Sequence, residues 1–242
     1  MQTLIVGMGE IGSSLYKILK TKYPTYGVDV RKELSTVDKK HIPEKIDVLH
    51  ICIRYSDEFE KITKSYCQKY KPDLLNICTT VPVGTTRLVD PNGCHSTTRG
   101  LHPNLEEGLK TITKHIGGPN AVRLKKYFED AGIPCRAHPI ARTTELLHIM
   151  NNVHYGVNLM FADEVAKLCR LYGVDYYDWM LYCESNNDGF MRLGQKTKVR
   201  PILTPTNGKI GGHCVVSSAN LIPEEKRPDL VDRLAKYNDR GK

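Results

Sequence analysis

The stretch Thr3-Leu4-Ile5-Val6-Gly7-Met8-Gly9-Glu10-Ile11-Gly12 decides the fold. Four β-branched or apolar residues read as a buried strand. Three glycines then follow in the spacing Gly-x-Gly-x-x-Gly, and Ile11–Lys22 carries helical periodicity. Each glycine has its own physical reason in a strand–turn–helix unit. Gly7 permits the tight turn, Gly9 lets backbone approach a pyrophosphate, and Gly12 allows close helix–strand packing. The helix then points its N–H groups and positive dipole end at the phosphates. The next strand, Thr25–Val30, carries Asp29 near its end, about 20 residues on, where a carboxylate accepts hydrogen bonds from ribose hydroxyls. The pattern predicts a dinucleotide site built from Gly7, Met8, Gly9, Glu10, Ile11, Gly12 and Asp29. The charge of Asp29 repels a 2′-phosphate and favours NAD over NADP, although Arg31 and Lys32 just beyond it suit that phosphate.

Outward from this unit, strand and helix signals alternate. Ile46–Ile53 and Leu74–Thr79 read as strands, and Asp57–Lys71 as a helix. A further cycle between 112 and 138 holds a short apolar piece, a helix from Ala121 to Ala131 and a strand through Ile133–Ala137. Alternation of this kind predicts an α/β fold, a doubly wound parallel Rossmann sheet, over residues 1–139. After Pro139 the pattern changes. Thr143–Leu171 lacks proline, has one glycine (Gly156) and repeats apolar residues at helical spacing, with Thr143 or Thr144 as cap and Gly173 as stop. Such a helix is roughly 40 Å long, more than a small domain needs, and predicts packing against a partner domain or subunit. Residues 140–242 are therefore expected to form a helical domain, with Val174–Glu184 and Pro228–Tyr237 as further helices and a loop over Gly189–Gly212.

The chain has 242 residues, 40% hydrophobic and 26% charged, which is globular composition. No apolar run approaches the ~20 residues of a membrane span, and the first strand starts too early for a signal peptide. None of the eight cysteines forms a CxxC pair, so no metal site is expected, and several sit in apolar runs, which suits a reducing, cytoplasmic setting. The formal charge of +8 fits either an anionic small-molecule substrate or simply solvated surface lysines. The lysines named along the chain (Lys17, Lys20, Lys22, Lys39, Lys40, Lys125, Lys126) are scattered in sequence rather than clustered with aromatics, which argues against a nucleic-acid groove.

Three segments carry candidate chemistry. Thr79-Thr80-Val81-Pro82-Val83-Gly84-Thr85-Thr86 follows a strand directly, where hydroxyls can line a ligand crevice, or else cap the next helix. Glu145, His148 and Asn152 share one face of the long helix, and a histidine beside a carboxylate can accept a proton from an alcohol. The alternative is a polar face wetted at a domain interface. Lys209-Ile210-Gly211-Gly212-His213-Cys214 places a cysteine behind two glycines, where a substrate carbon can approach closely and His213 can help hold a thiolate. An inert loop thiol is the alternative.

Taken in order, these segments resemble the UDP-glucose/GDP-mannose dehydrogenase family. Leu101–Gly108 (LHPNLEEG), the MNNVHYGVN run of the long helix and the late Tyr237-Asn238-Asp239-Arg240 add to the resemblance. It covers nearly the whole chain. It implies NAD-dependent oxidation of a primary alcohol on a sugar or nucleotide sugar to the acid, with Cys214 forming a thiohemiacetal and then a thioester. It also implies Thr80 and Asn152 at the catalytic site, and Asn104, Glu107, Gly211, Gly212 and His213 about the substrate. The chain departs from the family pattern at three positions. The helix lysine falls at His148, a loop glutamate falls near Asn104, and an aspartate four residues past the cysteine falls at Ser218. The sequence stops where the family's third, nucleotide-sugar-gripping domain is expected. The long helix suggests a homodimer. Two other readings remain open: a single-step β-hydroxyacid-type dehydrogenase, whose helix pattern matches His148-Ile149-Met150-Asn151-Asn152, and a non-catalytic NAD-binding regulatory protein.

Overall fold

Strand β1 (Thr3–Val6) lies between β2 (Thr25–Val28) and β3 (Val48–Ile51), and β3 pairs with β4 (Leu74–Ile77), all parallel. A computed structural model describes residues 1–100, 105–212 and 214–239. The seven-stranded sheet has the order β2-β1-β3-β4-β5-β6-β7, completed by β5 (Cys94–Ser96), β6 (Lys114–Gly117) and β7 (Cys135–His138). The expected all-parallel arrangement holds through β5. There β6 pairs antiparallel, and β7 runs parallel to β6. Three-residue β5 is too short to show a period of its own in the sequence.

Alternation along the strands fills two cores, because successive side chains point to opposite faces. Ile5, Val48 and Leu74 face helices α1 (Glu10–Leu19) and α5 (Ala121–Asp130), packing with Leu15, Ile18, Leu124 and Phe128. Leu4, Val6, Leu49, Ile51, Leu75 and Ile77 face α2 (Phe59–Tyr70), packing with Phe59 and Tyr70. The sheet is therefore wound on both faces. Under α5 the core also holds a polar string. The hydroxyl of Tyr127 meets Thr3 Oγ1 at 2.8 Å and His50 Nε2 at 3.3 Å, and Asn76 Nδ2 lies 3.0 Å from His50 Nδ1.

Two short helices complete the first unit, α3 (Thr85–Val89) and α4 (Leu105–Thr111). The chain divides into compact units Met1–Ile149 and Met150–Lys242, with the border inside α6 (Ala141–Tyr172). That 32-residue helix starts before the threonines expected to cap it. Thr144 lies in its first turn and donates its hydroxyl to the carbonyls of Ala141 and His95. Gly173, at φ +68°, follows the last turn as expected.

In the second unit, α7 (Tyr176–Arg192) is capped by Asp175, whose side chain accepts from Tyr177 N–H. It runs through Gly189 into what the sequence suggested was loop, and Gly194 at φ +70° follows its end. Helices α8 (Val215–Asn220) and α9 (Asp229–Ala235) pack near Gly156, where an added Cβ would stand 2.5 Å from Val215 and 2.7 Å from Leu234. Among the described residues no helix is long and apolar enough to cross a membrane, and no cluster of three metal-ligating side chains occurs. All eight cysteines are free thiols.

Candidate functional site

The glycine turn closes over the end of β3. Gly7 has φ +92°, and a Cβ there would sit 2.7 Å from the Cys52 carbonyl group, so both conformation and space require glycine. A Cβ on Gly12 would stand 1.8 Å from the Gly7 oxygen. At Gly9 nothing lies within 4 Å of where a Cβ would point, and no side chain caps the first turn of α1. A tight turn, a tight helix and an open cradle between them suit a pyrophosphate laid against the helix N-terminus.

Asp29 lies just past β2. Its Oδ2 accepts from Met8 N–H at 2.7 Å and its Oδ1 from Arg31 N–H at 3.0 Å. Burial pushes its pKa up. The Arg31 and Met8 amides and the Arg31 guanidinium outweigh that and hold the carboxyl below its ordinary value. A carboxylate has further lone pairs for ribose hydroxyls after these bonds. The residues therefore fit the adenosine and diphosphate parts of a nicotinamide dinucleotide. Glu10 is exposed, Ile11 half-buried and Met8 buried.

Next along the carboxyl edge comes the Thr79–Thr86 segment. Thr79 Oγ1 donates to the Ile53 carbonyl at 2.6 Å, tying the end of β4 to that of β3. The segment forms a helix start, because Gly84, at φ +109°, is the N-cap of α3. Glu145, completely buried, accepts there from Gly84 N–H at 2.6 Å and Thr86 N–H at 2.8 Å. The carboxylate read as a partner for His148 is thus committed to capping α3. Helical spacing placed it on the right face but could not reveal a partner some 60 residues away.

His148 turns instead toward Thr80, with Nε2 3.4 Å from Oγ1. It is 5% exposed, and its ring centroid lies 5.6 Å from that of His95. Burial, then the charge of Lys114, lowers its pKa to about 4, so the ring is neutral at pH 7. Its Nδ1 is buried with no hydrogen-bond partner among the described residues. His95, held by the Thr79 carbonyl at 3.1 Å and Thr144 Oγ1 at 3.0 Å, has its pKa driven well down, chiefly by burial. Sequence reasoning singled out neither His95 nor Lys114. Lys114 is buried, and Nζ donates to the Thr97 carbonyl at 2.8 Å. Glu107 is exposed on α4, and Asn104 lies outside the described residues.

The second unit holds the remaining candidates. Cys214 is exposed at the N-cap of α8, after exposed Gly211 and Gly212, the latter at φ +80°. His213 lies outside the described residues. The loop is pinned by Asn238, which accepts from Ile210 N–H and donates to the Ile210 carbonyl, each at 2.9 Å. Asn152 Nδ2 donates to Ser218 Oγ at 2.9 Å, so the family's asparagine position meets the one where its aspartate is replaced. Asp163, also unforeseen, accepts from the N–H groups of Thr206, Asn207 and Gly208 and from the hydroxyls of Thr206 and Tyr237. It anchors the turn leading into the cysteine loop.

A glycine turn at the β1/β3 switch, an acid past β2 and threonines at the end of β4 define a Rossmann-type fold. No protein-family model matches the chain. In sequence it is 24% identical over 287 residues to a UDP-N-acetyl-D-mannosamine dehydrogenase of Methanocaldococcus jannaschii, covering 97% of this chain and 64% of the relative. The Methanococcus aeolicus enzyme of the same name matches at 24% over 289 residues, covering 97% and 63%. The chain thus spans somewhat under two thirds of these relatives. Among solved structures it is similar to a UDP-D-ManNAc dehydrogenase from Pyrococcus horikoshii (TM-score 0.79, 18% identity, 99% of this chain and 68% of that one). It is also similar to a 3-hydroxyisobutyrate dehydrogenase from Mycobacterium tuberculosis (TM-score 0.71, 13% identity, 97% and 91%). Sequence and fold together bear out the resemblance to the UDP-glucose/GDP-mannose dehydrogenase family.

Proposed function

We propose that this protein is an NAD-dependent dehydrogenase that oxidises a primary alcohol of a sugar or nucleotide sugar. The observation that carries the reading is the cradle at Gly9, flanked by two glycines that no other residue can replace and closed by Asp29. Bound there, NAD supplies the hydride acceptor. Thr80 Oγ1 and His148 Nε2 orient the substrate hydroxyl, and neutral His148 takes its proton as the carbon loses hydride. Burial keeps the imidazole uncharged at pH 7, with a nitrogen lone pair to accept, and at the same time weakens it as a base.

Cys214 is the proposed nucleophile of the second stage, by its match to the family's cysteine and by its exposure. Its sulfur bonds to the aldehyde carbon, and the thiol proton passes to the carbonyl oxygen. A second NAD, exchanged for the NADH, takes the hydride of the thiohemiacetal carbon while its hydroxyl proton passes to water, leaving a thioester that water cleaves to acid and free thiol. Asn152, held by Ser218, is the proposed hydrogen-bond donor to the reacting oxygen. Gly211, Gly212, His213, Asn104 and Glu107 are proposed around the substrate. Residues 1–139 are assigned to cofactor binding, and 140–242 to the substrate loop and to a homodimer through α6, where Phe161, Leu168 and Leu171 remain exposed. A cytoplasmic setting suits eight reduced thiols.

A second reading is a single-step hydroxyacid-type oxidation in which Cys214 is dispensable. It is favoured by the 91% coverage of the 3-hydroxyisobutyrate dehydrogenase fold. Stoichiometry separates the two. UDP-N-acetylmannosamine, UDP-glucose and simpler phosphorylated alcohols are screened for NADH release. The four-electron reading expects two NADH per acid formed and no acid from Cys214→Ser. One NADH per substrate, with Cys214→Ser fully active, leaves only the second reading. NADH binding without turnover on any alcohol would sink both.

A further inference from the structure

Lysines scattered along the sequence converge at the amino-terminal edge of the sheet, away from the glycine turn. A cavity of about 690 Å³ is lined there by Lys39, Lys40, Lys45, Lys69, Lys71 and Glu44, with buried Ile42 and Tyr70. Lys45 precedes β3, and Lys71 follows α2 just before β4. The dinucleotide turn leaves β1 at its carboxyl end. With β1 and β3 paired in register over four residues, the two places are separated by at least a strand length, roughly 13 Å. A smaller cavity of about 240 Å³ shares Lys39, Ile42, Lys69 and Tyr70 and runs along α2 past Tyr66 to Val28, whose carbonyl accepts from Gly7 N–H, so the separation from the glycine turn belongs to the larger cavity and its lysines.

Five ammonium groups, with Glu44 in the lining and Asp38 and Asp73 beside two of the lysines, leave this cavity net positive. Lys40 and Lys45 are loosely paired with Asp38 at 3.7 Å and Asp73 at 3.9 Å. Lys69 lies 4.8 Å over the Tyr70 ring. Lys71 holds a left-handed conformation, φ +41°, at the helix C-cap, where glycine or asparagine is the ordinary choice. The lysines are exposed, so solvent screens their mutual repulsion, and three of them (Lys39, Lys69 and Lys71) have no acidic partner at ion-pair distance among the described residues. The volume is that of a small-molecule site rather than of an extended polymer groove.

We propose that this cavity is a second ligand site, taking a phosphorylated small molecule of nucleotide size, with phosphates among Lys39, Lys69 and Lys71. The probe is ATP, titrated calorimetrically into wild-type protein and into a Lys39→Glu/Lys69→Glu/Lys71→Gly variant. Glycine at 71 relieves the left-handed strain, so the variant is expected to fold, as a circular-dichroism melt checks. The expected result is ATP binding weakened at least about tenfold by the triple substitution, with NADH affinity unchanged. ATP binding should also survive Gly9→Asp, which fills the dinucleotide cradle. Equal ATP affinity in the triple variant, no ATP binding in wild type, or displacement of ATP by NADH overturns the proposal. So does a single-stranded RNA that binds more tightly than ATP and is lost with the same lysines.

Discussion

The carboxylate of Asp29 accepts a hydrogen bond from the backbone N–H of Met8 at 2.7 Å, locking the end of β2 to the glycine turn. Asp29 therefore shapes the cradle itself, beyond its proposed contact with a ribose. In Asp29→Asn the Met8 and Arg31 bonds weaken, and NADH affinity is expected to fall about tenfold with a stability loss of about 1–2 kcal/mol at pH 7. The folded carboxyl titrates below its unfolded value, so its contribution is full above the ordinary carboxylate range and fades as pH falls through the lower, folded value. The gap between urea melts of the two proteins should begin to close below about pH 4. A constant gap down to pH 2.5 would show that the charge is immaterial.

His148 has its pKa lowered to about 4, chiefly by burial, and under the proposed mechanism that shift bears on both rate and stability at acid pH. As the proton acceptor it predicts an acid limb of kcat near pH 4 to 5, not near the 6.5 of an exposed imidazole. His148→Gln should lower kcat about 10²- to 10⁴-fold while NADH binding is kept. The stability sign is opposite to that of a salt-bridged histidine. Below pH 6.5 the unfolded chain takes up a proton that the folded ring refuses, so stability drops between pH 6.5 and 4, by about 3 kcal/mol in all. His148→Gln should flatten that part of the stability profile, His95 supplying the remainder. An unchanged profile in the variant would mean that the buried ring is not the titrating group.

Glu145 sits three residues before His148 on the same helix, yet its oxygens hold Gly84 and Thr86. A structural cap and a catalytic carboxylate predict different outcomes. Glu145→Ala leaves two amides without their acceptor and should cost about 3 kcal/mol in thermal or urea unfolding. Glu145→Gln keeps one oxygen as acceptor, should recover a large part of that loss, and should leave the kcat pH profile in place. A shifted acid limb in Glu145→Gln would instead make the residue part of the proton path.

The difference between legible and hidden features follows interaction range. Thr3–Val6, the glycine turn and the long helix are written in periods of two and 3.6 residues, and each was found within a few positions of its observed bounds. The reversal at β6 leaves no local mark, since strand direction depends on the connection and not on the strand's own residues. Asp163 reads as an ordinary polar position of an amphipathic helix. Its five donors come from residues 43 to 74 positions away, so only the folded chain reveals its role. Lys39 and Lys69 lie 30 residues apart and look scattered until α2 lays one against the other's cavity. Cys214 was legible by its glycine-rich setting and by resemblance, whereas the Asn238 clasp on Ile210 was not.

Gly156, the one glycine of the long helix, offers the sharpest test of packing in the second unit. Helix propensity alone predicts that Gly156→Ala stabilises by about 1 kcal/mol. The added methyl would stand 2.5 Å from Val215 Cγ1 and 2.7 to 2.8 Å from both δ-methyls of Leu234, closer than carbon atoms approach without displacement. Val215 begins α8 directly after Cys214, so the strain falls on the segment that carries the thiol. Overpacking of this kind costs typically about 1–3 kcal/mol and should outweigh the propensity gain. Gly156→Ala is therefore expected to lower the melting temperature and to raise the rate at which Cys214 reacts with a thiol reagent, as α8 loosens. Trimming the opposing side chain, as Gly156→Ala/Leu234→Ala, should restore part of the protection at Cys214 even though it removes buried apolar surface. A melting temperature raised by Gly156→Ala would show that α8 and α9 do not press on the helix at this point.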